Sequence, residues 1–457
     1  MASDAPQGAM ASEAAGGAAA SGVPRPEDRG WLGRLLVAGP GELLPVLMGF
    51  LLFFLLFASY FMLRPVRETF GIAGGVNNLQ WLFLATFLAT LVVLPAYGWL
   101  SNRVPRRRLL PVCYGVSAAT LVGFGFVLLF DPEDVWAGRV FYVWLSVFNL
   151  FVISLAWSLM ADVFQPEQAK RLFGQIAAGA SLGGLAGPLL STALVAPLGL
   201  AGLLFLSAAM LLGTLVCAAW LFRWRDRQGW TATPTGENAD RAMRGSVIAG
   251  LTLVLRSPYL LGIALFVILL ASVSTFLYFE QARLVRATFP SRVQQTQVFG
   301  TIDAVVQTLT ILIQVFVTGR LTRRLGVGVL LTAVPLGMAV GFGALALAPT
   351  FGVLVVVMVL RRVGEYALVR PGREMLFTTV DAETKYKAKN AIDTVVYRGG
   401  DAVSSWIKTG VDAVSSSPVA AMVVGVAIAA GWAATGYALG RGAERGEAAR
   451  RSERAAA

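Results

Sequence analysis

The sequence predicts an all-α membrane protein of about twelve transmembrane helices, arranged as two six-helix repeats. Two observations indicate the membrane. Of the 457 residues, 56% are hydrophobic and only 14% are charged, and apolar runs long enough to cross a bilayer recur along the chain. A third observation, the return of short charged motifs in the second half, indicates the repeat. Helices are expected because a helix satisfies its own backbone hydrogen bonds in lipid.

The individual spans follow from the apolar runs. About 20 helical residues, each rising about 1.5 Å, cross a hydrocarbon core of about 30 Å. The predicted spans cover residues 43–63, 81–100, 110–130, 140–160, 172–194, 200–222, 260–279, 298–319, 327–347, 351–369, 390–414 and 419–439. Cys113 and Cys217 lie in separate spans, so no disulfide or metal site is predicted, and no motif indicates a cofactor.

The remaining segments divide the chain into parts. Residues 1–40 are rich in Ala, Gly, Ser and Pro, which predicts a disordered cytoplasmic tail rather than a signal peptide. Residues 41–222 and 259–440 are predicted to form the two six-helix bundles. Residues 223–258 are predicted to be a cytoplasmic linker with an interfacial helix near its end, and residues 441–457 a basic cytoplasmic tail.

The distribution of positive charge predicts the topology. Of the 38 Lys and Arg residues, 28 fall in the terminal tails and even-numbered loops, and six fall in the odd-numbered loops. By the positive-inside rule, both termini are expected in the cytoplasm. The lack of histidine, of a signal peptide and of disulfides fits a location in the cell inner (plasma) membrane. This topology accounts for the net charge of +12 without a nucleic-acid partner. The expected partners are the bilayer and a small-molecule substrate, and no obligate protein partner is indicated.

A charged motif follows the first span of each half. Arg64-Pro-Val-Arg67 and Arg283-Leu-Val-Arg286 are 219 residues apart, and each is followed by Thr and Phe at the same spacing. Because guanidinium groups suit phosphate or carboxylate, these arginines, predicted at the outer ends of their helices, could capture an anion. The alternative is an outer gate closed by pairs such as Glu280 with Arg283.

A second repeated motif follows the second span of each half. It reads Gly98-x3-Asn102-Arg103-x-Pro105-Arg-Arg, and its counterpart in the second half runs from Gly319 to Gly326, with Arg324 at the position of Arg103. The motif resembles the loop between the second and third helices of the major facilitator superfamily, usually Gly-x3-Asp-Arg-x-Gly-Arg-Arg, from which Asn102 and Pro105 depart. The resemblance implies the major facilitator fold, two six-helix halves related by an axis along the membrane normal. We assign Arg103 and Arg324 to gating.

Charged residues inside the spans mark the candidate substrate site, because an ionisable side chain in the bilayer costs about 2.5–3.5 kcal/mol on insertion scales. Arg361, Arg362 and Glu365 lie near the midplane of the tenth span. Arg361 and Glu365 are four residues apart and could pair internally. That pair would leave Arg362 without a partner, and an excess cation favours an anionic substrate. Both interpretations of this cluster, an internal ion pair and a substrate site, therefore stay open.

The full candidate site extends over both halves. The predicted substrate-binding or coupling residues are Arg64, Arg67, Glu280, Arg283, Arg286, Arg361, Arg362, Glu365, Asp393, Arg398 and Asp401. Arg370, Arg373 and Glu374 lie at the inner end of the tenth span, where charge pairs between helices could form and break as an inner gate.

A stripe of glycines marks the fifth span. Gly179, Gly183 and Gly187 recur at every fourth residue. Small residues at this spacing let two helices approach closely, so the stripe predicts a packing contact with another helix.

One longer stretch carries a narrower resemblance. It consists of Arg370-Pro-Gly-Arg373-Glu374-Met, then Lys385-x-Lys387-x-Lys389 followed by Asp393, and then Arg398-Gly-Gly-Asp401. The stretch resembles the ATP/ADP antiporter (nucleotide exchange translocase) family, which has a basic-Glu-Met step, a Lys-x-Lys-x-Lys loop and a following Asp there. Leu63-Arg64-x2-Arg67-Glu68 is likewise similar to the family's Leu-Arg-x2-Lys-Asp. The resemblance implies exchange of nucleotides or other phosphorylated anions. Asp401 departs from it, since the nucleotide carriers tend to have a lysine there.

Two other functions stay open from the sequence. A proton-coupled exporter of drugs or other amphipathic solutes would have to use carboxylates, because the chain contains no histidine. The candidates are Glu68, Glu280, Asp303, Glu365, Asp393 and Asp401. A scaffold or receptor could keep the fold without transporting a solute. Lys408-Thr409 lacks the glycine-rich phosphate loop of an ATP-driven pump, and no enzymatic activity is predicted.

Overall fold

The computed structural model describes residue 39 and residues 41–228, 247–415 and 417–456, and in these ranges it contains helices and no β-strand. Apart from residue 39, the predicted N-terminal tail through residue 40 lies outside the described ranges. So do residues 229–246 of the predicted linker.

The first half begins with four separate helices. These are α1 (Leu43–Ala73), α2 (Leu79–Arg103), α3 (Arg106–Phe130) and α4 (Val135–Val163). A long helix, Pro166–Arg227, then turns at Gly199, where φ is 68°. Glycine tolerates this positive φ because it has no Cβ atom. The two parts are α5 (residues 166–198) and α6 (residues 200–227).

The second half follows a short linker helix, Val247–Arg256. Its first helices are α7 (Pro258–Thr288) and α8 (Arg292–Ile313), and α8 continues through a π-helical turn, Gln314–Thr318. The chain then turns inside Gly319–Leu347 at Gly326, and residues 327–347 form α9.

The last three helices carry two more π-helical turns. In α10, Phe351–Gly364 and Arg370–Leu376 flank the π-helical turn Glu365–Val369. In α11, Ala382–Ala391 and Tyr397–Val414 flank the π-helical turn Ile392–Val396. The final helix, α12, is Pro418–Ala456.

The described ranges contain twelve spans. Nine helices there are long and apolar enough to cross a membrane. The longest of them, Pro166–Arg227, provides two spans because it turns at Gly199. The charged helices α10 and α11 complete the set, and the predicted fold class is confirmed.

The predicted ends of the first and seventh spans were wrong. The prediction ended them at residues 63 and 279, but α1 continues to Ala73 and α7 to Thr288. The arginine motifs interrupt the apolar runs without interrupting the helices, because their side chains find partners inside the protein. The two motifs therefore lie within helices and not in loops.

The glycine stripe of α5 packs directly against the backbone of α1, as predicted. A Cβ atom at Gly179 would lie 2.2 Å from the carbonyl oxygen of Phe50. A Cβ atom at Gly183 would lie 2.3 Å from the carbonyl oxygen of Phe54. Gly187 makes a similar approach one turn later. The contact holds two helices of the first half at backbone distance.

The two ends of the bundle differ. Twelve antiparallel spans place both ends of the chain on one face, here called the terminal face, and the opposite face is called the far face. Four of the described hydrogen bonds join the halves near the far face. They connect Thr69 with Thr296 (2.7 Å), Arg286 with the carbonyl oxygen of Ile72 (2.5 Å), and Arg292 with the carbonyl oxygens of Pro132 (2.6 Å) and Glu133 (3.2 Å).

At the terminal face, Glu42 ties the start of α1 to the start of α5. Its carboxylate accepts hydrogen bonds from the Gly39 N–H (2.6 Å), Gln168 (2.8 Å) and Arg171 (3.0 Å). Burial alone would raise the pKa of Glu42, but these hydrogen bonds and the Arg171 charge outweigh it and lower the pKa below its usual 4.5. The ionised carboxylate therefore stabilises this end of the first half.

Candidate functional site

A cavity of about 860 Å³ lies between the two halves. Its wall comes from α1, α2, α4 and α5 of the first half and from α7, α8, α10 and α11 of the second. The charged residues of the wall are Arg64, Arg67, Glu68, Asp303, Arg361, Arg362, Glu365, Arg370, Arg373, Glu374, Asp393, Arg398 and Asp401. The cavity thus brings together eight of the eleven predicted substrate residues and the three predicted inner-gate residues.

In the first half, the arginines of α1 turn into the cavity. Arg67 forms an ion pair with its neighbour Glu68, and its Nη1 donates a hydrogen bond to the Ser146 hydroxyl (3.2 Å). Arg64 lies one turn earlier, and its Nε is 3.6 Å from Oδ2 of Asp303 in the second half. The cavity therefore contains an ion pair that joins the two halves.

The predicted site lacked two of the charged wall residues, Glu68 and Asp303. Asp303 lies on α8 with only 5% of its surface exposed, and its Oδ1 accepts a hydrogen bond from Nη1 of Arg362. The expectation that Arg362 stays unpaired was therefore wrong, because a carboxylate from another helix reaches it. A single carboxylate within an apolar span was the sequence signal, and it was considered only for proton coupling.

The remaining pairs lie within the second half. Arg361 and Glu365 form the predicted internal pair, with Nη1 2.9 Å from Oε2. Arg373 on α10 pairs with Asp393 on α11 at 2.9 Å. On α11, two charged residues of the wall also pair, since Nη1 of Arg398 lies 3.6 Å from Oδ2 of Asp401.

Arg370 is different from these residues. Among the described residues it has no carboxylate within 4.0 Å, and its guanidinium lies 4.6 Å from the ring centre of Tyr366. Its neighbour Glu374 pairs with Lys389, which lies outside the cavity wall, at 2.6 Å. Among the described residues of the wall, five carboxylates therefore remain to balance seven arginines, which leaves two positive charges in excess.

Polar and aromatic side chains complete the wall. On α1, the rings of Phe57 and Phe61 are nearly parallel, with an interplanar angle of 17° and centroids 6.2 Å apart. Tyr60 meets Phe61 edge to face at 5.2 Å. Asn149 and Ser181 add neutral polar groups. Such a wall can contact a flat ring while the arginines contact an anion.

The arginine motif of α7 does not line the cavity. Arg283 forms an ion pair with Glu280, the pair considered for an outer gate, and Arg286 binds the α1 backbone at Ile72. The expectation that the two arginine motifs form a matching pair of anion-binding groups is therefore wrong. The motif of α1 faces the cavity, whereas that of α7 lies beside the far-face contacts.

One of the two predicted gating residues of the loops lies apart from the cavity. Arg103 is exposed, with its guanidinium 4.3 Å from the ring centre of Trp99. The side chain of Arg324 lies outside the described part of the structure.

Twelve spans around a charged central cavity, with the halves joined at one face, define a membrane transporter. The family model of the Major Facilitator Superfamily matches residues 45–371. The chain belongs to this superfamily, and its relatives and structural neighbours are transporters and not enzymes.

Individual relatives are carriers as well. ADP,ATP carrier protein 1 of Chlamydia muridarum is 24% identical over 456 aligned positions, which cover 85% of each chain. ADP,ATP carrier protein 1 of Chlamydia pneumoniae is 23% identical over 441 positions, which cover 81% of this chain and 84% of that one. The chain is thus similar to ADP,ATP carriers over most of its length.

Solved structures share the fold. A mutant of the nucleoside transporter NupG superposes with a TM-score of 0.64 at 13% identity, covering 86% of this chain and 99% of that one. A bacterial homologue of the human lysosomal transporter Spinster, in an inward-facing and unoccupied conformation, gives a TM-score of 0.60 at 15% identity, covering 90% and 99%. At these identities the likeness concerns the fold alone.

Proposed function

We propose that this protein is a secondary transporter of an anionic, phosphorylated, nucleotide-like solute, and that it works by exchange. The observation that carries the proposal is the excess of two positive charges in the cavity wall. Guanidinium groups bind phosphate oxygens through charge-assisted hydrogen bonds. An anion with two or more negative charges would complete the charge balance of the site.

The same excess supports exchange. Alternating access requires the cavity to close around its contents before it opens on the other side. Closing the empty cavity would bury two positive charges without counter-ions, at an effective cost of several kcal/mol per ion. The loaded carrier avoids this cost, so the step between the two sides is fast only when an anion is bound.

The substrate class also has support from similarity. The matched relatives are ADP,ATP carriers, and the aromatic wall of α1 offers a surface for a base. The seven arginines would then hold the phosphate groups. Arg103 and Arg324, together with Arg370, Arg373 and Glu374, stay proposed as gating residues.

We further propose the orientation of the protein. Its basic tails and even-numbered loops place the terminal face in the cytoplasm by the positive-inside rule. The protein would then lie in the inner (plasma) membrane, with its far face on the outer side. The cavity wall reaches toward the terminal face at Arg370 and Glu374.

The test is uptake of radiolabelled ATP and ADP into proteoliposomes, with and without the same compounds inside. We expect uptake that requires an internal counter-substrate. Uptake without it would contradict exchange. No uptake of any phosphorylated anion would overturn the proposal and favour proton-coupled export, which uptake or efflux driven by a pH gradient would then reveal.

Arg370 gives the matching mutational test. A charge-assisted hydrogen bond contributes about 1.5–3 kcal/mol, so Arg370→Gln should raise KM by roughly tenfold or more, and Arg370→Lys should recover part of the loss. Arg441→Gln is the control, since Arg441 also lies against a tyrosine ring (Tyr437, 4.8 Å) but outside the cavity wall. An unchanged KM in Arg370→Gln would remove Arg370 from the substrate site.

A further inference from the structure

Asp303 stands between arginines of opposite halves. Its Oδ1 accepts a hydrogen bond from Arg362 of α10, and its Oδ2 lies 3.6 Å from Nε of Arg64 of α1. The carboxylate is almost fully buried, with 5% of the residue exposed, and Arg362 is 4% exposed. One negative charge is therefore shared by two guanidinium groups in the middle of the bundle.

The cluster of Asp303, Arg64 and Arg362 contains buried polar atoms that make no hydrogen bond. In the described structure, Oδ2 of Asp303 and both Nε and Nη2 of Arg362 have no hydrogen-bond partner. Buried polar groups without partners cost roughly 1–3 kcal/mol each, and more when charged. Two guanidinium groups with free donors around a single carboxylate form a site for a second anion that brings more acceptor oxygens than Asp303 has.

We propose that Asp303 competes with the substrate for Arg64 and Arg362. In the empty carrier its carboxylate occupies the place of the substrate's anionic group. When the substrate binds, its phosphate oxygens take over the two guanidinium groups, and Asp303 takes them back when the substrate leaves. The inference rests on the proposed transport of a phosphorylated anion and adds the residue that sets the balance between affinity and release.

The other cavity carboxylates are placed differently. Glu68 and Glu365 pair with arginines of their own helices. Asp393 pairs with an arginine of the same half. Such pairs can move as units with their helix or half. Asp303 is the carboxylate of the described cavity wall that pairs with arginines of both halves, so its pairing changes when the halves move.

The experiment compares wild type with Asp303→Asn in exchange of ATP and ADP by proteoliposomes. Removing the competitor frees the two guanidinium groups for the substrate, so KM should fall by roughly tenfold or more. Release should slow for the same reason, so the maximal exchange rate should fall as well. General damage to the fold would lower the rate without tightening KM.

Asp412→Asn is the matched control, since it removes the same charge from a pair with Lys408 that does not line the cavity. Its KM should equal that of wild type. If wild type exchanges ATP and Asp303→Asn shows an unchanged or higher KM, this inference fails while the proposed function stands. If wild type exchanges no phosphorylated anion, the proposed function fails.

A second measurement applies even if Asp303→Asn is unstable when empty. The purified protein, prepared with ATP present and then exchanged into defined ATP concentrations, is melted in detergent. ATP should raise the melting temperature of Asp303→Asn more than that of wild type or Asp412→Asn, because the phosphate replaces the missing carboxylate. An equal or smaller shift would overturn the inference.

Discussion

The contact between α1 and α5 can be tested by adding a single methyl group. In Gly183→Ala, the new Cβ atom would lie 2.3 Å from the carbonyl oxygen of Phe54 and 3.0 Å from the backbone nitrogen of Ala58. Ordinary contacts begin at 3.4 Å, so the helices must separate locally by about 1 Å. Backbone atoms cannot move aside as a flexible side chain could.

The expected change in the stability of Gly183→Ala is the sum of two opposing effects. Overpacking of this kind costs about 1–3 kcal/mol, and a gap of about 1 Å loses up to half of the dispersion energy of the neighbouring contacts. Replacing a helical glycine by alanine returns about 0.5–1 kcal/mol. We therefore expect Gly183→Ala to destabilise the protein by about 1–2 kcal/mol.

Gly174→Ala is the control on the same helix, because a Cβ atom at Gly174 would meet nothing within 4 Å. It should be neutral or slightly stabilising. Thermal melting in detergent should place Gly183→Ala about 1–3 °C below Gly174→Ala. If the two variants melt at the same temperature, the helices do not approach at backbone distance and the packing argument is wrong.

Two further predictions concern the two faces of the bundle. Because the lowered pKa of Glu42 favours its ionised form, its stabilisation is present above its usual pKa of 4.5 and is lost as the pH falls through the lowered pKa. Melting temperatures should drop more steeply in wild type than in Glu42→Gln below about pH 4.5, and parallel curves would contradict this. At the far face, the double variant Arg286→Ala, Arg292→Ala removes hydrogen bonds that join the halves. In a cysteine-free background that carries Thr296→Cys as the reporter, this double variant should be labelled at position 296 by an impermeant maleimide roughly tenfold faster than the same protein with both arginines. Equal labelling rates would show that these arginines do not hold the face closed.

Much of the fold was predictable from the sequence for a simple reason. Lipid forces each span to be an apolar helix, so the spans appear as apolar runs. The glycine stripe at Gly179, Gly183 and Gly187 predicted a close helix contact because only small residues allow it. The partner of the stripe, α1, could not be predicted, since spacing along one helix says nothing about which helix it meets.

The site was predictable by residue type and less so by partner. Charges inside a membrane span are rare, so Arg361 and Arg362 identified the cavity. A pair within one helix, such as Arg361 with Glu365, follows from spacing alone. The contact between Arg362 and Asp303 joins residues 59 positions apart, and only the tertiary structure brings them together. The sequence misplaces the arginines of α1, because the end of an apolar run does not show whether the helix continues.

The π-helical turns of α8, α10 and α11 have a consequence for the symmetry of the duplicated fold. A π-helical turn accommodates an extra residue, and one residue corresponds to a rotation of about 100° around an α-helix. All three turns in the described ranges belong to the second half, and each contributes a residue to the cavity wall, Gln314, Glu365 and Asp393 among them. Past the turns of α10 and α11, the second repeat presents other positions of the shared pattern to the cavity than a regular helix would. A duplicated chain that could have offered the same surface twice thus offers one polar cavity with two unlike walls, so the two sides of a bound solute would meet different residues.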